Sequence, residues 1–151
     1  MPKSTLHVVP GQFWSIPRDD GAFGVGVVLG VPTAATAPHH ATSSRTVVLG
    51  LLNKVSAIPA SVDSLGGSEL ADWGFAHVRC IERTSAGVGL AGIIDIPLGD
   101  VLMVSHRGGG SVGLYSNGCL VREATREEAR SLPVYGTWGL TFIQRLASAL
   151  T

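Results

Sequence analysis

The chain has 151 residues, 45% of them hydrophobic and only 15% charged, against about 25% charged in ordinary globular chains. Its 11 basic and 11 acidic residues cancel, and none of the bases gathers into a stripe, which argues against nucleic-acid binding through phosphates. The longest apolar run, residues 25–31, falls far short of the ~20 residues that cross a bilayer, and residues 1–6 lack the apolar core of a signal peptide, so a cytoplasmic protein away from the membrane is expected.

Residues 1–11 read as a lead-in. The clearest object follows: two runs of strand-forming residues, Gln12-Phe13-Trp14-Ser15-Ile16-Pro17 and Phe23-Gly24-Val25-Gly26-Val27-Val28-Leu29, flank Asp19-Asp20-Gly21. Asp-Gly between apolar runs predicts a β-hairpin, because Gly supplies the positive φ of the turn. Pro17 donates no ladder hydrogen bond, so the first strand is an edge there or ends there. In the second strand Phe23, Val25, Val27 and Leu29 share one face. Ala22, Gly24 and Gly26 put small residues on the other, where a ring or a backbone can lie close.

Residues 32–45, rich in Pro, Ala, Thr and Ser, predict a long mobile loop. Residues 46–55, ended by Pro59, are apolar without strict alternation, which suits a strand buried on both faces, with a short helix as the alternative that period alone leaves open. Ser61 or Asp63 is placed to cap a short helix. Residues 75–81 alternate and predict a strand, with Ala76, Val78 and Cys80 on its apolar side. A Gly-rich turn at 87–92, strands at 93–97 and 101–105, and a hairpin around Asn117-Gly118 follow. Thr125 and Glu128 have capping-box spacing and predict a helix from Arg126 to about Ser131 that Pro133 stops. Residues 137–146 alternate at Leu140 and Phe142, while Phe142, Ile143 and Leu146 also fit a helical face; the reading preferred is a closing strand with a frayed end. Cys80 and Cys119 are expected to be reduced core thiols. Trp14, Trp73 and Trp138 are expected to pack rather than to protrude. The fold class is mostly β (α+β): one domain over 1–151, a twisted antiparallel sheet or partly open barrel of about seven to nine strands with one or two short helices.

Signals of chemistry are weak. Gly87-Val88-Gly89-Leu90-Ala91-Gly92 spells a dinucleotide fingerprint, but a Pro-stopped β-branched run follows it where that motif needs a helix. His106-Arg107-Gly108-Gly109-Gly110 has the composition of an anion nest or of a plain hairpin loop. His39-His40 lacks partners at metal spacing, and no Cys or His pair has zinc spacing. No nucleophile has a base near it in sequence. No cofactor, metal or catalytic residue is assigned. The low charge suits a surface that buries itself against a partner or a second copy, a possible homodimer.

The run Gly11-Gln12-Phe13-Trp14-Ser15-Ile16-Pro17-Arg18-Asp19-Asp20-Gly21-Ala22-Phe23-Gly24-Val25-Gly26-Val27-Val28 resembles the opening of the immunity protein 26 family of bacterial polymorphic toxin systems. Further pieces come in the same order: a Pro-broken segment at Ile58-Pro59, a strand at 75–81, and a closing Tyr135-Gly136-Thr137-Trp138-Gly139-Leu140-Thr141-Phe142-Ile143-Gln144-Arg145-Leu146. The resemblance implies a non-enzymatic protein that binds a cognate toxin domain and silences it by occlusion. Arg45, Glu82, Arg83, His106 and Arg107, which put charge beside loops, are then the candidate contacts. The competing readings are a small-molecule-binding β module walled by Ala22, Gly24 and Gly26, and an enzyme whose site is assembled from distant residues.

Overall fold

A computed structural model describes residues 7–33, 45–94, 97–107, 110–134 and 136–151. The first hairpin forms where the Asp-Gly signal places it. β1 (Gln12–Pro17) and β2 (Phe23–Gly30) pair antiparallel, with Trp14 opposite Gly26 and Ile16 opposite Gly24. The Arg18 N–H donates to the Ala22 carbonyl at 2.8 Å across the loop. Gly21 turns the corner at φ 83°, a conformation that costs an L side chain about 1–2 kcal/mol and glycine almost nothing. β1 ends at Pro17, as a residue without an N–H dictates.

β3 (Thr46–Leu52) adds to β2, and β4 (Leu70–His77) adds to β3, both antiparallel. Two-residue strands cover the ends of this sheet: β5 (Gly92–Ile93) against β1, and β9 (Thr137–Trp138) parallel to β4. The order is β5-β1-β2-β3-β4-β9. β6 (Leu102–His106), β7 (Val112–Ser116) and β8 (Cys119–Glu123) form a second, antiparallel sheet. The helices are α1 (Arg79–Thr84), α2 (Arg126–Ser131) and α3 (Leu140–Ala149).

The period-2 alternation of the central strands sets the layers. Trp14, Ile16, Val28, Val47, Leu49, Leu51 and Ala76 pack against Cys80 and Ile81 of α1 and Ile143 and Ala147 of α3. Their neighbours Phe13, Val25, Val27, Leu29, Val48 and Phe75 point the other way and pack against Met103 and Tyr115 of the second sheet. β3 is buried on both faces, as its unbroken apolar run requires. The result is one mostly β domain in three layers: two helices, a six-stranded mixed sheet and a three-stranded sheet, which do not close into a barrel.

Several expectations need correction. The strand expected over 75–81 starts earlier, at Leu70, and stops at His77, where the chain turns into α1. The closing segment contributes only Thr137 and Trp138 to a sheet, and then becomes a ten-residue helix whose Ile143 and Ala147 face the core. That raises the helices to three, beside a 3-10 turn at Asp63–Leu65 with no side-chain cap from Ser61 or Asp63. Of the strand expected over 93–97, only Ile93 pairs, together with Gly92 before it; Asp95 and Ile96 lie outside the described residues. Most of the loop expected over 32–45, His39 and His40 included, also lies outside them.

Both cysteines are free, Cys80 buried on α1 and Cys119 half-buried on β8. The tryptophans pack, Trp14 and Trp138 being buried and Trp73 half-buried. The Asn-Gly hairpin, with Asn117 at φ 50° and Gly118 at φ 85°, joins β7 to β8 as expected. The Thr125–Glu128 capping box opens α2, both reciprocal bonds present.

Candidate functional site

The site is built where β4 gives way to α1. The Arg45 carbonyl, at the start of β3, accepts the Val78 N–H at 2.7 Å, and Thr46 pairs with His77. This ties the first described residue after the 34–44 segment to the first turn of α1. The helix has only six residues and no side-chain cap, so tertiary contacts must hold it. Its inner face supplies them: Cys80, Ile81 and Thr84 are buried, and Thr84 Oγ1 accepts the indole N–H of Trp14 at 2.9 Å. With that face committed to the core, Arg79 and Arg83, one turn apart, are left on the outer face, both exposed.

The segment after α1 is shaped by Ser85. Its hydroxyl donates to the Glu82 carbonyl at 2.9 Å and accepts from the Gly89 N–H at 2.7 Å. Ala86 at φ 54° and Gly87 at φ 86° turn the chain away from the helix, so a non-glycine residue sits in the left-handed region beside the site. Leu140, the first residue of α3, closes the other side. Two clefts, of about 550 Å³ and about 320 Å³, run along α1 and share Arg79, Arg83 and Leu140 as walls. Glu82, Ala86 and Gly87 complete the larger cleft; His77 and Cys80 complete the smaller.

The electrostatics are cationic. Partial desolvation of the otherwise exposed His77 ring, then the charges of Arg79, Arg45 and Arg83, hold its pKa below the ordinary value of 6.5. His77 Nδ1 also accepts the Arg79 backbone N–H at 3.0 Å. Burial pushes the Cys80 thiol up, against the opposing pull of Arg83, which keeps it a thiol rather than a nucleophilic thiolate. Among the described residues neither Arg79 nor Arg83 has a carboxylate within ion-pair distance.

Of the residues singled out in the sequence, Arg45, Glu82 and Arg83 come together here. His106 and Arg107 do not: they end β6 on the three-stranded sheet, in the layer on the opposite side of the central sheet. There Arg107 lays its stem across Gly113 and its N–H donates to the Ser111 carbonyl, while His106 borders a small cleft of about 130 Å³ with Val104, Ala129 and Val134. Gly108 and Gly109 of the suspected anion nest lie outside the described residues. His77, Arg79 and Leu140 are new to the site. Reading Arg79 and Arg83 as one helix face was the available signal, and it was lost by reading the segment as a strand.

The small-residue face of β2 is not a pocket wall. The Trp14 ring covers Gly26, and Ala147 of α3 lies against Gly24. The glycine fingerprint at 87–92 runs from a helix into a strand, the reverse of a dinucleotide turn. Among the described residues, no group of three or more His, Cys, Asp or Glu side chains converges at metal-binding distance, and no helix is long and apolar enough to cross a membrane. Compared with known protein families, with curated proteins and with solved structures, the chain gives no match.

Proposed function

We propose that this protein works by contact, as an immunity protein that binds a cognate toxin domain and covers its active site. The observation that carries the reading is the clustering of His77, Arg79, Glu82 and Arg83 along one concave surface, with Leu140 of α3 as its far wall and Arg45 of β3 close enough to act on His77. Arg is among the residues most enriched at protein interfaces, and a charged rim around an apolar side chain such as Leu140 is the usual composition of a docking surface. The resemblance of residues 11–28 to the immunity protein 26 family supplies the kind of partner. That run builds β1, β2 and the turn between them. It also supplies Trp14, which holds α1 in place.

The test is co-expression with the product of a neighbouring gene that kills the cell when expressed alone. A one-to-one complex on gel filtration, together with survival of cells that otherwise die, is expected. Cells that die equally with and without this chain would refute the reading.

A further inference from the structure

We propose that the cleft along α1 receives an acidic segment of a polypeptide partner, with carboxylates of that segment paired by Arg79 and Arg83; this rests on the protein-binding reading above. Three observations converge. First, Arg79 and Arg83 stand four residues apart on a short helix, a like-charge spacing that destabilises a helix unless something neutralises it. Among the described residues no carboxylate does so, and Glu82 on the same helix stays outside ion-pair distance of both. Second, Arg45 acts on His77, a wall of the smaller cleft, alongside Arg79 and Arg83, so the charge of a third arginine reaches the same surface. Third, the walls shared by the two clefts are two guanidinium groups and the aliphatic Leu140. Planar forks suit the bidentate geometry of carboxylates, and an apolar side chain on the same walls suits the stem of a Glu or a neighbouring aliphatic residue.

A nucleic acid is the weaker occupant. Net charge is zero, and the bases do not extend from the cleft into a track that follows a phosphate backbone. Because the arginines are exposed, such a contact acts chiefly on association rate and specificity, and weakens with salt.

The experiment uses the full chain and fluorescein-labelled hexaglutamate as the probe, followed by anisotropy at low and at physiological ionic strength. The wild type is expected to bind, more weakly at the higher salt, and Arg79→Glu and Arg83→Glu to lose about tenfold or more in affinity. Arg126→Glu, the same charge change on α2, should bind like the wild type. Arg83→Gln serves if either reversal fails to give a wild-type melting curve. No binding of hexaglutamate, equal binding by the wild type and the Arg83 variants, or tighter binding of a thymidylate oligomer of equal charge would overturn the proposal. The probe contains no toxin, so the two readings fail separately. A chain that binds hexaglutamate but protects no cell refutes only the toxin reading. A chain that protects cells but ignores hexaglutamate refutes only the acidic segment.

Discussion

Trp14 and Thr84, 70 residues apart in the chain, meet through a buried hydrogen bond: the indole N–H donates to Thr84 Oγ1 at 2.9 Å. Thr84 in turn donates to the Cys80 carbonyl one turn earlier. The first hairpin thereby fixes both the position and the last turn of α1, and so the spacing of the arginines outside it. Thr84→Val strips the indole of its acceptor in a buried site, which should cost about 1–3 kcal/mol. Trp14→Phe removes the donor and opens a cavity. The double variant should lose less than the sum of the two, a coupling that denaturant titration of the four proteins reads directly.

Arg18 gives α3 the C-terminal charge its own sequence lacks. The last turn of that helix contains no basic residue. The Arg18 guanidinium, mostly buried, donates to the carbonyls of Ala147 at 3.0 Å and Leu150 at 2.7 Å, and its other edge holds Asp20 in two bonds. Cations at a helix C-terminus satisfy orphan carbonyls and oppose the macrodipole. Arg18→Met should cost about 1.5–3 kcal/mol and fray the last turn of α3, seen as faster amide exchange at residues 147–150.

The tip of the second hairpin is wedged against the central sheet. A Cβ added to Gly118 would overlap Val48, and one added to Gly30 would overlap the Asn117 carbonyl. Asn117 also exchanges backbone bonds of 2.9 Å with Val101 through its N–H and its side-chain oxygen. Gly30→Ala should therefore push the two sheets apart and cost about 1–3 kcal/mol. Gly118→Ala adds the strain of φ 85° and should cost more. An exposed left-handed glycine with open space around it, Gly21, should tolerate Ala at the cost of the backbone strain alone.

Glu128 makes α2 sensitive to acid. Its carboxylate takes a bidentate grip from Arg122, at 2.7 and 2.9 Å, and accepts the Thr125 N–H. The Arg122 bonds, then the Thr125 N–H, hold its pKa down to about 2 from an ordinary 4.5. A depressed carboxylate pKa stabilises the folded form above the unfolded value. That contribution should fade as pH falls from 4.5 through about 2. Glu128→Gln should remove the pH dependence of the Thr125–Arg126 amide shifts in this window.

The parts of the fold that were legible are those with a local cause. Asp19-Asp20-Gly21, Asn117-Gly118 and the Thr125–Glu128 box each carry their own turn or cap chemistry within a few residues. The alternation in β2 announced both of its faces because each face meets a different core. The stretch from Phe75 to Ile81 defeated a reading by period. Phe75, His77, Arg79 and Ile81 alternate, yet Cys80, Ile81 and Thr84 also share a helical face, and seven residues cannot separate the two patterns. Burial of Thr84 beneath Trp14 decides in favour of the helix. In the last segment, Leu140 and Phe142 alternate, but Ile143 and Ala147 are the residues that reach the core, where Ala147 lies against Gly24 of β2. Arg45, Glu82 and Arg83 carry charge beside loops, which was visible. Their convergence with His77 and Arg79 depends on β3 pairing with β4, a contact no local pattern encodes.

On the proposal that the partner is a toxin domain, amide hydrogen exchange on the complex of the two tests most directly whether the α1 face is the working surface. Slowed exchange confined to residues 77–90 and the first turn of α3 is expected on binding, with His106, Arg107 and β8 unchanged. Protection that falls on β6–β8 and leaves α1 exchanging as in the free chain would contradict it.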